Sequence, residues 1–211
     1  MAQRTRIYDT RTHGRAIDVT PPRDCDDGPM SEPRSEVRVR VAVPADATAV
    51  GRVQVASWRR EYAELLPAEV LDAMDAEEFA RHWAQSLQRP GDARNRVLVA
   101  LEGDDVRGFA VTGPSTDPDA DPIADGEISE LTVHPEHRRQ GHGSRLMQAS
   151  VETLRSDRFV RGLLWLASSD DDMRRFVTDA GWAADGAHRE LDLRGDGAVR
   201  VKQVRLHTAL D

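Results

Sequence analysis

One stretch of the sequence decides the fold: Leu131-Thr132-Val133-His134-Pro135-Glu136-His137-Arg138-Arg139-Gln140-Gly141-His142-Gly143-Ser144. Its pattern predicts a strand that ends near Val133, a loop containing two glycines, and a helix that begins near Ser144. The free N–H groups and the macrodipole of a helix N-terminus favour a bound anion. Gly141 and Gly143 allow close approach of the backbone, and arginines can add charge-assisted contacts. The stretch therefore predicts a phosphate-binding loop.

The pattern of glycines in this loop excludes two other kinds of phosphate-binding loop. No Gly-Lys-Ser/Thr follows, so it is not a Walker A loop, and the third glycine of a dinucleotide fingerprint is missing. A solvated basic turn before an ordinary surface helix stays open as the alternative, because two spaced glycines are weak evidence alone.

The flanking sequence alternates between strand and helix patterns. Before the loop, the pattern predicts a strand over 37–43, helices over 46–58, 68–74 and 76–87, strands over 96–101 and 106–112, a loop over 114–125 and a strand over 127–133. After the loop, it predicts a helix over 144–156, a strand over 162–167, a helix over 170–179, and a hairpin of strands over 189–194 and 199–206. The fold class is therefore α/β of the α+β kind, with a mixed sheet and helices on both of its faces.

Three helix starts carry a candidate capping residue. Asp46 stands at the start of the helix predicted over 46–58, Asp75 precedes the helix predicted over 76–87, and Asp170 stands at the start of the helix predicted over 170–179. We expect each carboxylate to accept a hydrogen bond from the first turn of its helix. Gly181 is expected to end the last of these helices.

Composition excludes several classes of protein. The net charge of −8 argues against a general nucleic-acid binder, which needs a basic surface. Cys25 is the only cysteine, so we expect no disulfide, no cysteine zinc site and no metal. No run approaches the roughly 18 apolar residues of a membrane helix, and no apolar segment follows Arg4 and Arg6. We therefore expect a cytoplasmic protein that does not enter a membrane.

The first 36 residues differ from the rest. They contain Pro21-Pro22 and Pro33, scattered charges and no sustained apolar period. Such a segment cannot bury enough apolar surface to offset its ordering entropy. We predict a flexible N-terminal tail over 1–36 and a folded domain over 37–211.

The loop motif resembles that of the GNAT superfamily of acyl-CoA-dependent N-acyltransferases. The family motif Arg/Gln-x-x-Gly-x-Gly/Ala, preceded by Leu-x-Val-x-Pro, is matched at Leu131, Val133, Pro135, Arg138, Gly141 and Gly143. A second signature is similar over Leu164-Trp165-Leu166-Ala167, Arg174-Arg175-Phe176 and Ala180-Gly181-Trp182. The resemblance implies the GNAT fold, a central, mixed, mostly antiparallel twisted sheet whose fourth and fifth strands separate.

The resemblance also implies acetyl-CoA as co-substrate. Backbone groups of the fourth strand would bind the pantetheine arm, and the loop amides would hold the pyrophosphate. Asp170 stands where the family often has Asn, so it serves either as a pantetheine contact or as a helix cap alone. The implied coenzyme-binding residues are Leu131, Thr132, Val133, Arg138, Arg139, Gln140, Gly141, His142, Gly143, Ser144 and Asp170.

Two carboxylates are candidates for the base that deprotonates the amine. Glu127 falls where several family members carry a catalytic glutamate, and Glu130 would reach the same cleft if the strand is bulged. Either could instead be a solvated or ion-paired strand residue, and His134 is a further candidate by its pKa range alone. The amide of Val133 would meet the oxyanion. Val177 stands where many members have a proton-donating Tyr.

The acceptor pocket is expected near the first helix. Trp58 and Tyr62 are candidate substrate-binding residues, although Trp58 could also anchor the core. The loop over 114–125 carries four aspartates, which suit a cationic amine or simply keep a loop solvated.

These inferences predict an N-acetyltransferase that moves an acetyl group from acetyl-CoA to a primary amine of a small molecule or protein, as monomer or homodimer. The first alternative is a non-catalytic acyl-CoA-binding regulatory module, which Val177 and Asp170 favour. The second is an interaction protein whose tail over 1–36 binds a partner.

Overall fold

A computed structural model describes residues 37–193 and 195–210 of the 211-residue chain. The predicted tail over 1–36, with Cys25, lies outside the described residues. The helices are α1 (Ala47–Glu61), α2 (Ala68–Asp72), α3 (Ala76–Gln88), α4 (His142–Ser156) and α5 (Asp171–Asp179). The strands are β1 (Val37–Val41), β2 (Arg96–Glu102), β3 (Asp105–Pro114), β4 (Asp125–Val133), β5 (Arg161–Ala167), β6 (Ala183–Asp192) and β7 (Arg200–Ala209). Within these residues, no helix is both long and apolar enough to cross a bilayer.

The seven strands form one sheet in the order β1-β2-β3-β4-β5-β7-β6. Every neighbouring pair is antiparallel except β4 and β5, which are parallel. The predicted α/β class with a mixed, mostly antiparallel sheet is therefore confirmed. The parallel pair needs a crossover connection, and α4 supplies it.

The parallel pair is short. Only Asp125 to Ile128 of β4 pair with Arg161 to Leu164 of β5. Beyond these residues β4 continues to pair with β3 as far as Val133, while β5 continues to pair with β7 as far as Ala167. The two strands therefore separate in mid-sheet, and the β4 edge from 129 to 133 has no strand partner on that side within the described residues.

Helices cover both faces of the sheet. On one face, Val50 and Val53 of α1 pack against Val99 and Phe109, with Trp83 of α3 at the edge of the cluster. On the other face, α4 and α5 bury a larger apolar cluster. Its buried members are Ile128, Met147, Leu154, Phe159, Leu164, Leu166, Val177, Trp182, Leu206 and Leu210. Burying each large side chain contributes about 1.5–3 kcal/mol, so these clusters hold the helices on the sheet.

Two of the three predicted helix caps are confirmed. Asp75 accepts a hydrogen bond from the Glu77 amide at 2.9 Å, and Asp170 accepts one from the Met173 amide at 2.9 Å. Gly181, which follows α5, has the left-handed backbone conformation (φ +90°) that favours glycine.

The predicted cap of α1 is wrong. The Asp46 carboxylate accepts a hydrogen bond from the Val43 amide at 2.7 Å and pairs with Arg40 at 2.6 Å. Asp46 therefore closes the 3-10 turn Pro44–Asp46 that precedes α1 and ties it to β1.

A buried ion pair at the start of β4 leads to a prediction about acid stability. Asp125 is buried, and Arg161 donates to both of its carboxylate oxygens, at 2.8 and 2.5 Å. These hydrogen bonds hold the pKa of Asp125 below its usual range, although burial opposes them. A depressed native pKa stabilises the fold above the unfolded pKa, and that stability is lost as pH falls through the native pKa.

We expect Asp125→Asn to lower the free energy of unfolding by about 1–3 kcal/mol at pH 7. The difference from the wild type should shrink as pH falls from about 5 to about 2, through the unfolded pKa and then the lower native pKa of this carboxyl group. Urea denaturation across this range measures it. Asp104→Asn, in an exposed 3.8 Å pair with Arg38, is the control and should change little. A constant difference across the pH range would contradict the ion-pair origin.

Candidate active site

A bulge in β4 decides which side chains share a face. Thr112 of β3 pairs with Ile128 and Val111 pairs with Glu130, so Ser129 is an extra residue in β4. One extra residue reverses the alternation of side chains. Glu127 and Glu130 consequently face the same side of the sheet, the side covered by α1 and α3.

Glu127 lies in the wall of a cleft. Its side chain is buried, and its Oε2 accepts a hydrogen bond from the Ser115 hydroxyl at 2.8 Å. The cleft has a volume of about 690 Å³ and runs between α3 and the sheet; Trp83, Leu87, Val97, Val111 and Ser129 are among its lining residues. A carboxylate held by one hydroxyl keeps further acceptor capacity for a bound ligand or water.

Glu130 lies where β4 and β5 separate. Its Oε1 accepts a hydrogen bond from the Thr132 hydroxyl at 2.5 Å, and the Trp58 side chain also hydrogen-bonds to it. Burial raises the pKa of the Glu130 carboxyl, and these two hydrogen bonds oppose the rise. Glu130 is therefore a carboxylate whose environment moves its pKa toward neutrality.

The end of α1 contributes the neighbours of Glu130. Trp58 packs edge-on against Tyr62 and Phe79, with ring centroids 6.0 and 5.4 Å apart. Burial, and then the charges of Glu61 and Glu130, raise the pKa of Tyr62 above its usual range. Both predicted substrate-binding residues therefore lie beside one candidate base.

Glu61 joins this group, and the sequence analysis did not identify it. Desolvation of its carboxyl group, followed by the charges of Glu130 and Asp170, raises its pKa to about 6, although the residue as a whole is exposed. Arg138 opposes the rise. Carboxylates gathered in this way disfavour one another's ionised form and attract a cation.

The predicted loop is present as a strand, a turn and a helix start. Gly141 precedes α4 in the left-handed conformation (φ +92°), and Arg139 also has a positive φ of 63°. Arg138, Arg139, Gln140, Gly141 and Ser144 are exposed. The Arg138 guanidinium lies 3.5 Å from the Ser57 hydroxyl, which links the loop to α1.

His142 differs from the other loop residues, because the whole residue is buried, with only 1% of its surface exposed.

Comparison with known protein families identifies the family of this chain. The model of the Acetyltransferase (GNAT) family matches residues 54–182, which is more than half of the chain. The chain belongs to this family.

Individual relatives agree with the GNAT assignment. The uncharacterized N-acetyltransferase YuaI of Bacillus subtilis is 32% identical over 132 residues, which cover 62% of this chain and 71% of that protein. A mycothiol acetyltransferase of Corynebacterium glutamicum is 38% identical over 93 residues. These cover 43% of this chain but only 27% of the relative, so the chain matches about a quarter of that longer protein.

Solved structures share the GNAT fold. A ribosomal-protein-alanine N-acetyltransferase of Brucella melitensis superposes with a TM-score of 0.62 at 20% identity, covering 82% of this chain and 99% of that one. An N-acetyltransferase of Thermoplasma acidophilum, solved in complex with coenzyme A, gives 0.58 at 16% identity, with coverages of 80% and 98%.

Two positions differ from the GNAT pattern, and the structure gives each a local role. The Asp170 carboxylate caps α5, while its charge acts on Glu61. Val177 is completely buried in the core between α5 and the sheet. Val177 therefore packs and has no group that could donate a proton.

The expected acidic rim is reduced in the structure. Asp117 accepts hydrogen bonds from Arg205 at 2.9 Å and from the Trp165 indole at 3.1 Å, and Asp125 is paired with Arg161. Both aspartates are buried. These two of the loop's four aspartates are therefore neutralised by arginines, and they hold the loop onto the sheet.

An aromatic and cationic wall on the same face was missed by the sequence analysis. The Arg189 guanidinium lies 4.2 Å from the centre of the Trp165 ring, and its Nε donates to Gln203 at 2.8 Å. Burial lowers the pKa of Arg189, while the charges of Glu127 and Asp117 oppose this. Only the pairing of β5, β7 and β6 brings these side chains toward Glu127.

The two loop glycines are expected to respond differently to substitution. Gly141→Ala places a Cβ in the left-handed region, which costs about 1–2 kcal/mol, so the melting temperature should fall. Gly143→Ala is the matched control, since a Cβ there meets Val133 and Phe176 at ordinary distances of 3.7 and 3.8 Å. Calorimetry of both variants measures this. Equal loss of stability in both would contradict the role of the backbone conformation.

Proposed function

We propose that this GNAT protein transfers an acetyl group from acetyl-CoA to a primary amine of a small molecule or a protein. One observation carries the proposal. The separation of β4 and β5 lies beside the exposed start of α4, and two carboxylates face the same side of the sheet at that point. A thioester arm and an amine can therefore meet from opposite sides of the opening.

The coenzyme would lie along the open edge of β4. The main-chain groups of Leu131 and Val133 that face this edge have no strand partner there among the described residues, so they can hydrogen-bond a pantetheine amide. The amides from Arg138 to Ser144 would hold the pyrophosphate at the start of α4. We assign Asp170 to helix capping alone. The similar Thermoplasma protein was solved in complex with coenzyme A, which supports the binding of this coenzyme by the shared fold.

The chemistry needs a base and an oxyanion donor. We propose that Glu127, through a water molecule, takes the proton that the ammonium group must lose. The amine nitrogen then bonds to the thioester carbon, the Val133 amide stabilises the oxyanion, and the C–S bond breaks. The nitrogen loses its second proton to water as the intermediate collapses, and the thiolate leaves with the bond electrons and then takes up a proton from water. Departure as a thiolate is tolerable because thiols have a pKa of about 8.5.

Glu130 has a different role in this proposal. Its carboxylate already accepts hydrogen bonds from the side chains of Thr132 and Trp58, so fewer of its acceptor positions are open to a water molecule that relays a proton. With Glu61 nearby, it would attract the ammonium group of the acceptor beside Trp58 and Tyr62.

Calorimetry with acetyl-CoA, followed by thiol release with a panel of amines, tests the proposal. The panel includes amines related to mycothiol and peptides with N-terminal alanine, because two similar proteins bear those names. Acetyl-CoA binding with turnover of at least one amine is expected. Binding without turnover would favour the non-catalytic alternative, which the buried Val177 already supports, and absence of binding would end both.

A further inference from the structure

The ring of His142 is buried without a partner. It is 1% exposed, and neither ring nitrogen has a hydrogen-bond partner among the described residues. An unsatisfied buried polar group costs about 1–3 kcal/mol. A leucine or valine at this position would avoid that cost. The imidazole is therefore best explained by a bound ligand, which a hydrocarbon side chain could not hold.

Two further metal-ligating side chains reach the same place. One ligand atom each from Glu102, His137 and His142 lie within 4.8 Å of one another. The rings of His137 and His142 meet edge to face, with centroids 6.3 Å apart. Glu102 and His137 are half-buried, so an ion could enter from solvent while His142 closes the inner side.

This ligand set fits a borderline transition metal. Two imidazoles and one carboxylate are the ligands of many three-residue zinc sites, which leave a fourth position to water. Metal–ligand bonds of about 2.1 Å require ligand atoms about 3.4 Å apart, so side chains whose ligand atoms lie within 4.8 Å of one another would close by at most about 1.4 Å on binding. We propose that Glu102, His137 and His142 form a binding site for a divalent zinc-type ion.

Arg107 is the main competitor for Glu102. Its Nε donates to Glu102 Oε2 at 3.2 Å, and its guanidinium also pairs with Asp105 at 2.9 Å. A carboxylate has a second oxygen, so Arg107 can orient Glu102 while the other oxygen binds the ion.

A neighbouring set is weaker. His134, Glu136 and His137 also lie within ligand distance of one another, but no member is buried. His137 belongs to both sets and can serve only one ion at a time. The unpartnered, buried ring of His142 favours the set that contains Glu102.

The position of the site gives it a structural consequence. His137 and His142 lie just before and just after the exposed loop residues 138–141, and Glu102 ends β2. A bound ion would therefore hold both ends of this loop against the sheet. Ion binding at this site requires only the three ligand side chains and does not depend on acetyl transfer.

Titration of the chelator-treated full chain with Co²⁺ and Zn²⁺ tests the site. We expect one Co²⁺ per chain, visible by its absorption bands, and a Zn²⁺-dependent rise in melting temperature. Glu102→Gln and His137→Gln should each weaken the ion's affinity at least about 10-fold. His142→Leu should abolish binding. His82→Gln, on the exposed surface of α3, is the control and should bind as the wild type does.

Three results would overturn the proposal. The first is the absence of wild-type binding tighter than about 100 μM, which corresponds to only about 5.5 kcal/mol. The second is binding that survives Glu102→Gln but is lost in His134→Gln or Glu136→Gln, which would place the ion in the exposed set. The third is binding that survives all three ligand substitutions, which would place it elsewhere in the chain. If His142→Leu fails to fold, the variants at half-buried Glu102 and His137 still decide.

Discussion

Glu127→Gln is expected to lower kcat for acetyl transfer by about 100- to 10,000-fold, the usual contribution of a general base. Glutamine keeps the shape of the side chain and can still hydrogen-bond Ser115, but it cannot take a proton. The affinity for acetyl-CoA should be unchanged, because Glu127 lies in the wall of the cleft between α3 and the sheet and is not among the residues proposed to bind the coenzyme. Steady-state thiol release and calorimetry measure the two quantities separately.

Glu130→Gln is the informative comparison. Glu130 is assigned to attracting the acceptor, so the substitution should raise KM for the amine more than it lowers kcat. Glu136→Gln, on the exposed turn before the loop, is the control and should leave both constants unchanged. If Glu127→Gln keeps kcat within about twofold while Glu130→Gln loses it, the two roles are reversed.

The sequence was sufficient where the signals are local. Asp75 and Asp170 cap the helices that they precede, and Gly181 ends α5, because each interaction lies within a few residues. Asp46 has the same local pattern but bonds Arg40 instead, since a charged partner on β1 lies within reach once the chain is folded. A cap prediction fails when a stronger partner comes from another element.

The start of β6 shows another limit. The strand begins at Ala183, six residues before its predicted start at Arg189. The segment Ala183 to His188 is largely exposed and has no apolar alternation, so it carries no strand pattern. Pairing with β7, including an irregularity between Ala184 and His188, makes it a strand.

His142 shows a signal that was present but was not used. His142, Leu146, Ser150 and Leu154 follow one another at four-residue spacing and are all buried, so they form the inner stripe of α4. Beginning the helix at Ser144 hid the first member of this stripe. The approach of Glu102, by contrast, depends on the sheet and has no local signal.

Arg205→Ala is expected to lower the free energy of unfolding by about 3–5 kcal/mol at pH 7, the cost of breaking a buried ion pair. The Arg205 side chain is 10% exposed and pairs with Asp117 at 2.9 Å and with Asp185 at 2.7 Å. Alanine would leave two desolvated carboxylates without their cation, and it would also remove packing against Trp165. At about 2–4 °C per kcal/mol, the melting temperature should fall by about 6–20 °C.

The dependence of this loss on pH identifies its cause. Desolvation acts to raise the pKa of Asp117 and of Asp185, but hydrogen bonds, including those from Arg205, hold both below their usual range. Stability from a depressed pKa is present above the unfolded pKa of about 3.9 and is lost as pH falls through the native pKa, so the deficit of Arg205→Ala should shrink between pH 7 and about 3. Denaturation at both pH values measures this.

Arg200→Ala, in an exposed pair with Glu190, is the control and should cost less than about 1 kcal/mol. A deficit of Arg205→Ala that is equal at both pH values would mean that lost packing, rather than unpaired charge, destabilises the variant.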